Sequence, residues 1–309
     1  MKITNKLKRK FCKDNGIPIK IYDEPYFTHM LKLFNGTFDT INKYENFKKY
    51  LLKYNSEEDF FTNINKIENE IITHIKSKKA YQDFINMDMN KFNCIYQISN
   101  ENFYSSQHSN HNFLSIDLSN ANFTSLKYVD SDIIDNKKTY YDFIKQFTED
   151  EYFLNSKQIR QIIFGKLNPK RQNRVQKFIM DLVLIEVLNF TNINNIVSIV
   201  NDEIIIKYNE FYKDNLLIKI KELERKIGCK FHYEEFTLKK FKDFKFYIKI
   251  FKNGDVKFKC INALYYPTIL REYYNEPPHI YDRTFIHENI YCNMLQTPKY
   301  GIKELLEYE

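Results

Sequence analysis

The chain has 309 residues, enough for one large domain or two, and with 43% hydrophobic and 17% aromatic residues it can bury a core, which excludes intrinsic disorder. Its formal net charge of +7 is compatible with a polyanionic partner but does not require one. Asn, Lys, Ile, Tyr and Phe dominate and tryptophan is absent. Codons for these residues are rich in A and T, so we expect an AT-rich source genome, such as that of a virus or phage.

The cysteines and the first residues of the chain indicate the cellular compartment of the protein. The five cysteines show no Cys-x-x-Cys spacing, and their odd number favours a reducing compartment and argues against a structural zinc; they are Cys12, Cys94, Cys229, Cys260 and Cys292. The basic start, residues 1–10, is not followed by an apolar region. No window approaches about 18 uncharged apolar residues. We therefore expect a cytoplasmic chain without a signal peptide and without a membrane partner.

Residues 1–100 are predicted to be mostly helical. Apolar residues recur there at three- and four-residue spacing in three segments, Tyr26–Phe34, Phe47–Tyr54 and Phe60–His74. The lysine-rich stretch 6–10 is either a frayed, solvated terminus or an arm that contacts phosphate.

Residues 111–118 predict a β-strand that carries an acid. Leu114, Ile116 and Leu118 alternate with polar or aromatic residues, so Asp117 falls on the opposite face from the aliphatic side chains.

Residues 196–206 predict a β-hairpin with two acids at its tip. Val and Ile residues flank Asn201 and Asp202, which are typical of a turn, and Glu203 follows directly. Adjacent carboxylates raise each other's pKa unless a cation lies between them, which suggests a use for the pair. The alternative is a solvated turn with two surface acids.

An acid on one strand and an acid pair on a later hairpin suit two-metal nucleotidyl transfer. Mg²⁺ (or Mn²⁺) requires oxygen ligands such as Asp117, Asp202 and Glu203 and leaves positions for water and phosphate. One ion activates the attacking hydroxyl, and the other stabilises the leaving pyrophosphate.

Three segments then resemble motifs of the family A nucleic-acid polymerases, the polymerase I-like and single-subunit phage-type enzymes. Residues 117–126 resemble motif A, Asp-Tyr-Ser-Gln-Ile-Glu-Leu-Arg-x-Leu, and residues 200–204 resemble motif C, Val-His-Asp-Glu-Leu/Val. Between them, residues 156–165 are similar to motif B, Arg-Arg-x-x-Lys-x-x-x-Phe-Gly, with Arg160 at the basic position four before Phe164. The motifs keep the family's order and cover about a third of the chain.

The resemblance implies a much reduced polymerase that extends a 3′-hydroxyl on a nucleic-acid primer–template with nucleoside triphosphates. Asp117, Asp202 and Glu203 would be the catalytic and metal-binding residues. The nucleotide-binding residues would be Lys157, Arg160, Ser119, Asn122 and Phe164. A larger replication or transcription complex is a further expected partner.

The chain also departs from the family pattern. Asn122 stands where DNA polymerases have the glutamate that screens the ribose 2′ position, and Asn201 replaces the motif C histidine. Asn168 and Pro169 replace the Tyr-Gly that follows motif B. Asp117 and Asp202 are only 85 positions apart, so most of the fingers would be missing.

Two further segments are candidate nucleic-acid contacts. Asn155 or Ser156 can cap a helix that runs to Phe164 and is ended by Gly165 and Pro169, and a second helix follows. The region 157–177 holds seven basic residues and no acid, and we expect Lys170, Arg171 and Arg174 to contact nucleic acid.

Residues 244–262 predict a β-hairpin with a primed turn at Asn253-Gly254, and its candidate contacts are Lys245 and Lys249. The alternatives are a solvated basic face and an edge hairpin whose lysines prevent aggregation.

Together these features predict an α+β fold: a polymerase-type palm, an antiparallel sheet with helices. We expect a helical N-terminal region (1–100), a palm (101–210) with a short fingers segment (about 130–195), and a thumb-like C-terminal region (211–309) that holds the hairpin. Two other functions stay open. One is a non-catalytic nucleic-acid-binding protein on a degenerate palm, and the other is a viral or phage structural or interaction protein.

Overall fold

Helices surround a central antiparallel sheet in the computed structural model, which describes residues 2–95, 103–208, 210–241, 246–288 and 290–293. The α-helices of these residues are α1 (Asn5–Asp14), α2 (Tyr26–Leu33), α3 (Asn35–Phe38), α4 (Thr40–Leu51), α5 (Glu57–Ser77), α6 (Lys79–Asn86), α7 (Ala121–Val129), α8 (Tyr140–Ile144), α9 (Glu151–Asn155), α10 (Lys157–Gly165), α11 (Pro169–Leu188), α12 (Glu210–Ile227) and α13 (Tyr266–Tyr273). The strands are β1 (His111–Leu118), β2 (Ile196–Ile199), β3 (Glu203–Lys207), β4 (Phe231–Lys240), β5 (Tyr247–Phe251), β6 (Val256–Lys259), β7 (Thr284–His287) and β8 (Ile290–Asn293).

Side-chain caps define the starts of the helices next to the candidate site. The Ser156 hydroxyl accepts a 3.2 Å hydrogen bond from the backbone N–H of Ile159 and begins α10. Asn168, at φ 58°, begins α11, and Pro169 supplies the fixed φ suited to a first helical turn. The sequence-based expectation of two helices separated at Gly165–Pro169 is confirmed.

The main sheet has the strand order β2-β3-β1-β4-β5-β6, and every neighbouring pair is antiparallel. β7 and β8 form a separate two-stranded sheet. β1 is central, because it pairs with β3 on one side and with β4 on the other.

The two faces of the sheet have different chemistry. Leu114, Ile116 and Leu118 of β1 are at most 1% exposed and join the main core with the helices. Phe113, Ser115 and Asp117 alternate with them, and Phe113 belongs to a second, smaller core on the other face. We call this second face of the sheet the acid face, because Asp117 lies on it.

The main core draws residues from Leu7 to Leu270 rather than from one segment. It contains Leu7 and Phe11 of α1, the aliphatic face of β1 and Leu270 of α13. The predicted boundary at residues 210 and 211 falls within this unit, since β4, β5 and β6 extend the same sheet as β1 and β3. The C-terminal hairpin therefore continues the sheet, because its first strand pairs with β4.

The α+β class with an antiparallel sheet and helices is confirmed, as are the helical N-terminal region and both predicted hairpins. Residues 6–10 form neither a frayed end nor an arm: they belong to α1, and Lys8 is buried and bonded to Glu24. The turn of the second hairpin is not the predicted primed type, because Gly254 has positive φ but Asn253 does not. Lys245 lies outside the described residues.

No helix among the described ranges combines the length and the apolar character needed to cross a membrane.

A substitution of Phe164 tests whether the end of α10 is part of the hydrophobic core. Its side chain is 0% exposed and packs 5.9 Å from Phe123 and 6.0 Å from Tyr140, measured between ring centroids. We expect Phe164→Ala to lower the free energy of unfolding by about 3–5 kcal/mol, because it leaves a cavity. Leu52→Ala, at a residue that is 76% exposed, is the control and should change it by less than about 0.5 kcal/mol. Urea denaturation measures both, and a loss below about 1 kcal/mol for Phe164→Ala would contradict this packing.

Candidate active site

The register of β1 with β3 brings the three predicted acids together. Asp117 of β1 lies directly opposite Glu203 of β3. Directly opposed residues of an antiparallel pair project to the same face, with their Cβ atoms about 4.5–5.5 Å apart. The backbone N–H of Leu118 donates a 2.7 Å hydrogen bond to the carbonyl of Asp202, which ties the hairpin tip to the end of β1.

The hairpin holds Asp202 at its tip and Glu203 at the start of its second strand. The backbone N–H of Val200 donates a 2.9 Å hydrogen bond to the carbonyl of Glu203 and closes the turn. Ile204 and Ile206 are 0% exposed and join the main core, so the neighbouring Glu203 must point to the acid face.

Burial and the closeness of the three acids raise the pKa values of Asp117 and Asp202. Burial and the charges of Asp202 and Glu203 raise the pKa of Asp117 to about 6, although His232 and Lys157 partly offset the effect. Burial, together with the charge of Glu203, also raises the pKa of Asp202 above its ordinary value, and the charge of Lys157 opposes this shift. Such a pair of carboxylates gains from a nearby cation.

The donor set suits a hard divalent cation at Asp117 and Asp202 but not equally at Glu203. Glu203 Oε1 accepts a 2.5 Å hydrogen bond from the Ser115 hydroxyl and lies 3.9 Å from Lys249 Nζ. Among the residues that the structure describes, no group of three or more His, Cys, Asp or Glu side chains is arranged to hold a metal ion. Asp117 and Asp202 supply oxygen ligands of the kind that magnesium or manganese prefers, whereas Glu203 is engaged by Ser115 and Lys249.

The predicted triphosphate residues differ in their surroundings. Lys157, at the start of α10, is exposed, and its charge acts on both Asp117 and Asp202. It lines a cleft of about 590 Å³ between α10 and the end of α1. Arg160 is half-buried, and its guanidinium lies 5.0 Å from the ring centroid of Tyr140. Lys157 is therefore the more available of the two cations.

The other predicted nucleotide residues are Ser119, Asn122 and Phe164, and they differ in burial. Asn122 Oδ1 accepts a 2.8 Å hydrogen bond from Gln176 of α11, and Ser119 is held by a backbone hydrogen bond to Lys230. Both are half-buried, and they lie two and five residues beyond Asp117. Phe164 is fully buried, so it has no surface on which a nucleotide could stack.

The basic residues of α11 have two kinds of role. Arg171 donates hydrogen bonds to the carbonyls of Phe84 and Met87, which makes it a structural link to α6. Lys170 and Arg174 are exposed and, with Lys177, line a cleft of about 900 Å³. Residues 199–201 of the hairpin also line this basic cleft, so it extends to the residue that precedes Asp202.

Lys249 does not lie on an exposed surface, as a phosphate contact on the second hairpin would require. It is 3% exposed, and its Nζ lies 3.4 Å from Glu234 Oε2 and 4.1 Å from the ring centroid of Phe236. A lysine this buried is paired, because an unpaired charge in the interior is costly.

Sequence reasoning missed β4 and the residues that it adds to the acid face. The register places His232 opposite Asp117 and Glu234 opposite Ser115. Phe231, Tyr233, Phe236 and Leu238 were a signal for a strand, but the adjacent acids Glu234-Glu235 interrupt the apolar pattern. The pairing of β4 with β1 spans more than a hundred residues, so no local pattern reports it.

Comparison of the chain with protein-family models, with curated proteins and with solved structures finds no match.

Because the pKa of Asp117 is raised, we expect removal of its charge to stabilise the folded protein in a pH-dependent way. Between the ordinary pKa of 3.8 and the folded value of about 6, the folded state binds more protons than the unfolded state, so stability falls as pH rises through this window. In metal-free buffer we expect Asp117→Asn to raise the free energy of unfolding at pH 8 by about 1 kcal/mol, allowing for solvent screening of this half-buried group, and by nothing at pH 4.

Urea denaturation at the two pH values measures this difference. Asp83→Asn, at an exposed acid on α6, is the control and should show no such pH-dependent gain. Equal effects of Asp117→Asn at pH 4 and pH 8 would contradict the crowding of the acids.

Proposed function

We propose that the protein is a template-directed nucleotidyltransferase whose sheet is a reduced polymerase-type palm. The observation that carries the proposal is the approach of Asp117, Asp202 and Glu203 across one strand pair, next to exposed basic residues on α10 and α11. The order of motifs along the chain adds support from the sequence. The reaction is attack of a primer 3′-hydroxyl on the α-phosphorus of a nucleoside triphosphate, with release of pyrophosphate.

Asp117 and Asp202 are the residues that would hold Mg²⁺ or Mn²⁺. When bound, the ion supplies Lewis acidity that lowers the pKa of the 3′-hydroxyl and offsets charge on the phosphates. The half-buried position of both carboxylates strengthens their attraction for a cation relative to an exposed pair. Glu203, which accepts a hydrogen bond from Ser115, adds its negative charge to the site without binding the ion directly.

Lys157 is the residue that we assign to the triphosphate. It is exposed, it stands at the first turn of α10, and its charge acts on both acids, so it can neutralise phosphate oxygens beside the bound cation. Arg160, stacked on Tyr140, is assigned the secondary task of adding positive potential from one turn further along the helix.

The basic cleft is where we place the nucleic acid. Lys170, Arg174 and Lys177 line it, together with Asn201 at the hairpin tip. Phosphate contacts there would position a strand next to the acids without reading its sequence.

A non-catalytic nucleic-acid-binding protein is the second candidate. The engagement of Glu203 by Ser115 and Lys249 favours it, because a site for two metal ions needs more free carboxylates than Asp117 and Asp202 provide. The basic cleft would serve such a protein equally well.

Primer extension separates the two candidates. With wild-type protein, Mg²⁺ or Mn²⁺ and each nucleotide class on DNA and RNA templates, we expect incorporation. Asp117→Ala should reduce it at least about a hundredfold while nucleic-acid affinity is kept or rises, because the variant removes a metal ligand and a negative charge. Asp83→Ala, at an exposed acid on α6, should leave incorporation unchanged. Binding by the wild type without incorporation under all conditions would favour the second candidate.

The basic cleft makes its own prediction about binding. We expect Arg174→Ala and Lys177→Met each to weaken binding to single- and double-stranded nucleic acid alike and to reduce the slope of log K against log salt by about 1. Lys226→Met, at an exposed lysine of α12, is the matched control. Fluorescence anisotropy at several salt concentrations measures the slopes, and identical slopes for Arg174→Ala, Lys177→Met and the control would exclude this cleft as the binding surface.

A further inference from the structure

Two histidines stack on each other where the C-terminal part of the chain meets α2. His29 lies on α2, and His279 precedes the 3₁₀ turn Ile280–Arg283, which leads into β7. Their ring centroids are 4.2 Å apart, and the ring planes are inclined by 27°. The ring of Tyr281 packs against both, with its centroid 5.2 Å from that of His29 and 4.8 Å from that of His279. This contact joins α2 to a segment from the other end of the chain.

The contacts of His29 require its ring to be neutral. Its Nε2 lies 3.3 Å from Nη2 of Arg271, on α13, and Arg271 also forms an ion pair with Glu276. A guanidinium can only donate hydrogen bonds, so Nε2 must accept this one, which a protonated imidazole cannot do. Burial and the charges of His279 and Arg271 lower the pKa of His29 below its ordinary value of 6.5. Asp282 opposes this shift but does not cancel it.

The contacts of His279 also require a neutral ring. Its Nδ1 accepts a 3.2 Å hydrogen bond from the backbone N–H of Tyr281 and so caps the 3₁₀ turn. A backbone N–H can only donate, so a proton on Nδ1 would remove this cap. Protonation of His29 and His279 together would also place two positive charges on rings whose centroids are 4.2 Å apart, and these charges repel.

Asp282 is the buried anion next to the stacked rings. It is 2% exposed, and its Oδ2 accepts hydrogen bonds from Arg271 Nε at 3.1 Å and from the backbone N–H of His279 at 2.8 Å. Its Oδ1 lies 3.5 Å from His29 Nε2. Burial raises the pKa of the nearby Tyr26 to about 12, so this hydroxyl stays neutral. One carboxylate that already balances Arg271 cannot also balance two protonated histidines.

We propose that His29 and His279 form an acid-labile clasp, which holds the segment leading into β7 against α2 at neutral pH and releases it when the rings take up protons. Histidine is the side chain whose charge ordinarily changes in this range of pH. The stability that His29 contributes to the closed clasp is complete above pH 6.5 and is lost as the pH falls, because the open state takes up the proton more readily. The clasp is independent of the proposed nucleotidyl transfer.

Hydrogen–deuterium exchange at pH 7.5 and pH 5.5 tests the clasp, with each rate divided by the intrinsic rate at the same pH. We expect the protection of residues 280–288 in the wild type to fall about tenfold at pH 5.5, the effect of one pKa unit, while residues 175–187 of α11 stay protected. The double variant His29→Gln/His279→Asn should lose less than about twofold, because its amides accept the same hydrogen bonds and do not titrate. His74→Gln, at a histidine of α5, is the control and should behave as the wild type does.

Circular dichroism at both pH values checks that each variant is folded. If the double variant does not fold, His29→Gln and His279→Asn are measured separately, and each should reduce the fall to about threefold. Equal protection of residues 280–288 at both pH values in the wild type would overturn the clasp, as would an undiminished fall in a folded variant that lacks the histidines. An equal fall in α11 would overturn it as well, because the whole fold rather than the clasp would then be opening.

Discussion

The pairing of β1 with β3 is the constraint on which the candidate site depends. Leu114 and Ile116 are opposite Ile206 and Ile204, and all four are buried in the main core. A slip of one residue would turn these side chains to the other face and bury the acids instead, so burial of the aliphatic residues fixes the register. The aliphatic residues of β1 and β3 must face the helices. The register that allows this places Asp117 opposite Glu203 on the other face of the sheet.

That register brings negative charges close together, and the chain neutralises them unevenly. Glu203 has Ser115 and Lys249 as direct partners. Burial raises the pKa of Glu234, but the hydrogen bond from Lys257 and the charge of Lys249 outweigh it, so the pKa lies below its ordinary value. Asp117 and Asp202 have raised pKa values instead, since burial and neighbouring acids outweigh the opposing charges. The remaining negative charge is concentrated on this pair, which is where a cation would gain most.

The basic residues show why abundance alone is a poor guide in a lysine-rich chain. Arg171 binds backbone carbonyls of α6, Lys8 is buried beside Glu24, and Lys249 is enclosed between glutamates. Lys157, Lys170 and Arg174, by contrast, remain exposed. The charge of Lys157 acts on Asp117 and Asp202, and Lys170 and Arg174 line a cleft that extends to Asn201. Burial and partners divide residues of one chemical type into structural cations and candidates for phosphate binding.

The sequence by itself determined the local elements: the alternation of β1, the turn at Asn201-Asp202 and the helix start next to Ser156 act over a few residues, so pattern reveals them. It also identified the acids that the structure brings together. Only the tertiary structure decided that β4 joins β1, that Phe164 is core and that Lys249 faces Glu203. These depend on contacts between residues far apart in the chain, whose energy comes from burial and charge that no short stretch of sequence contains.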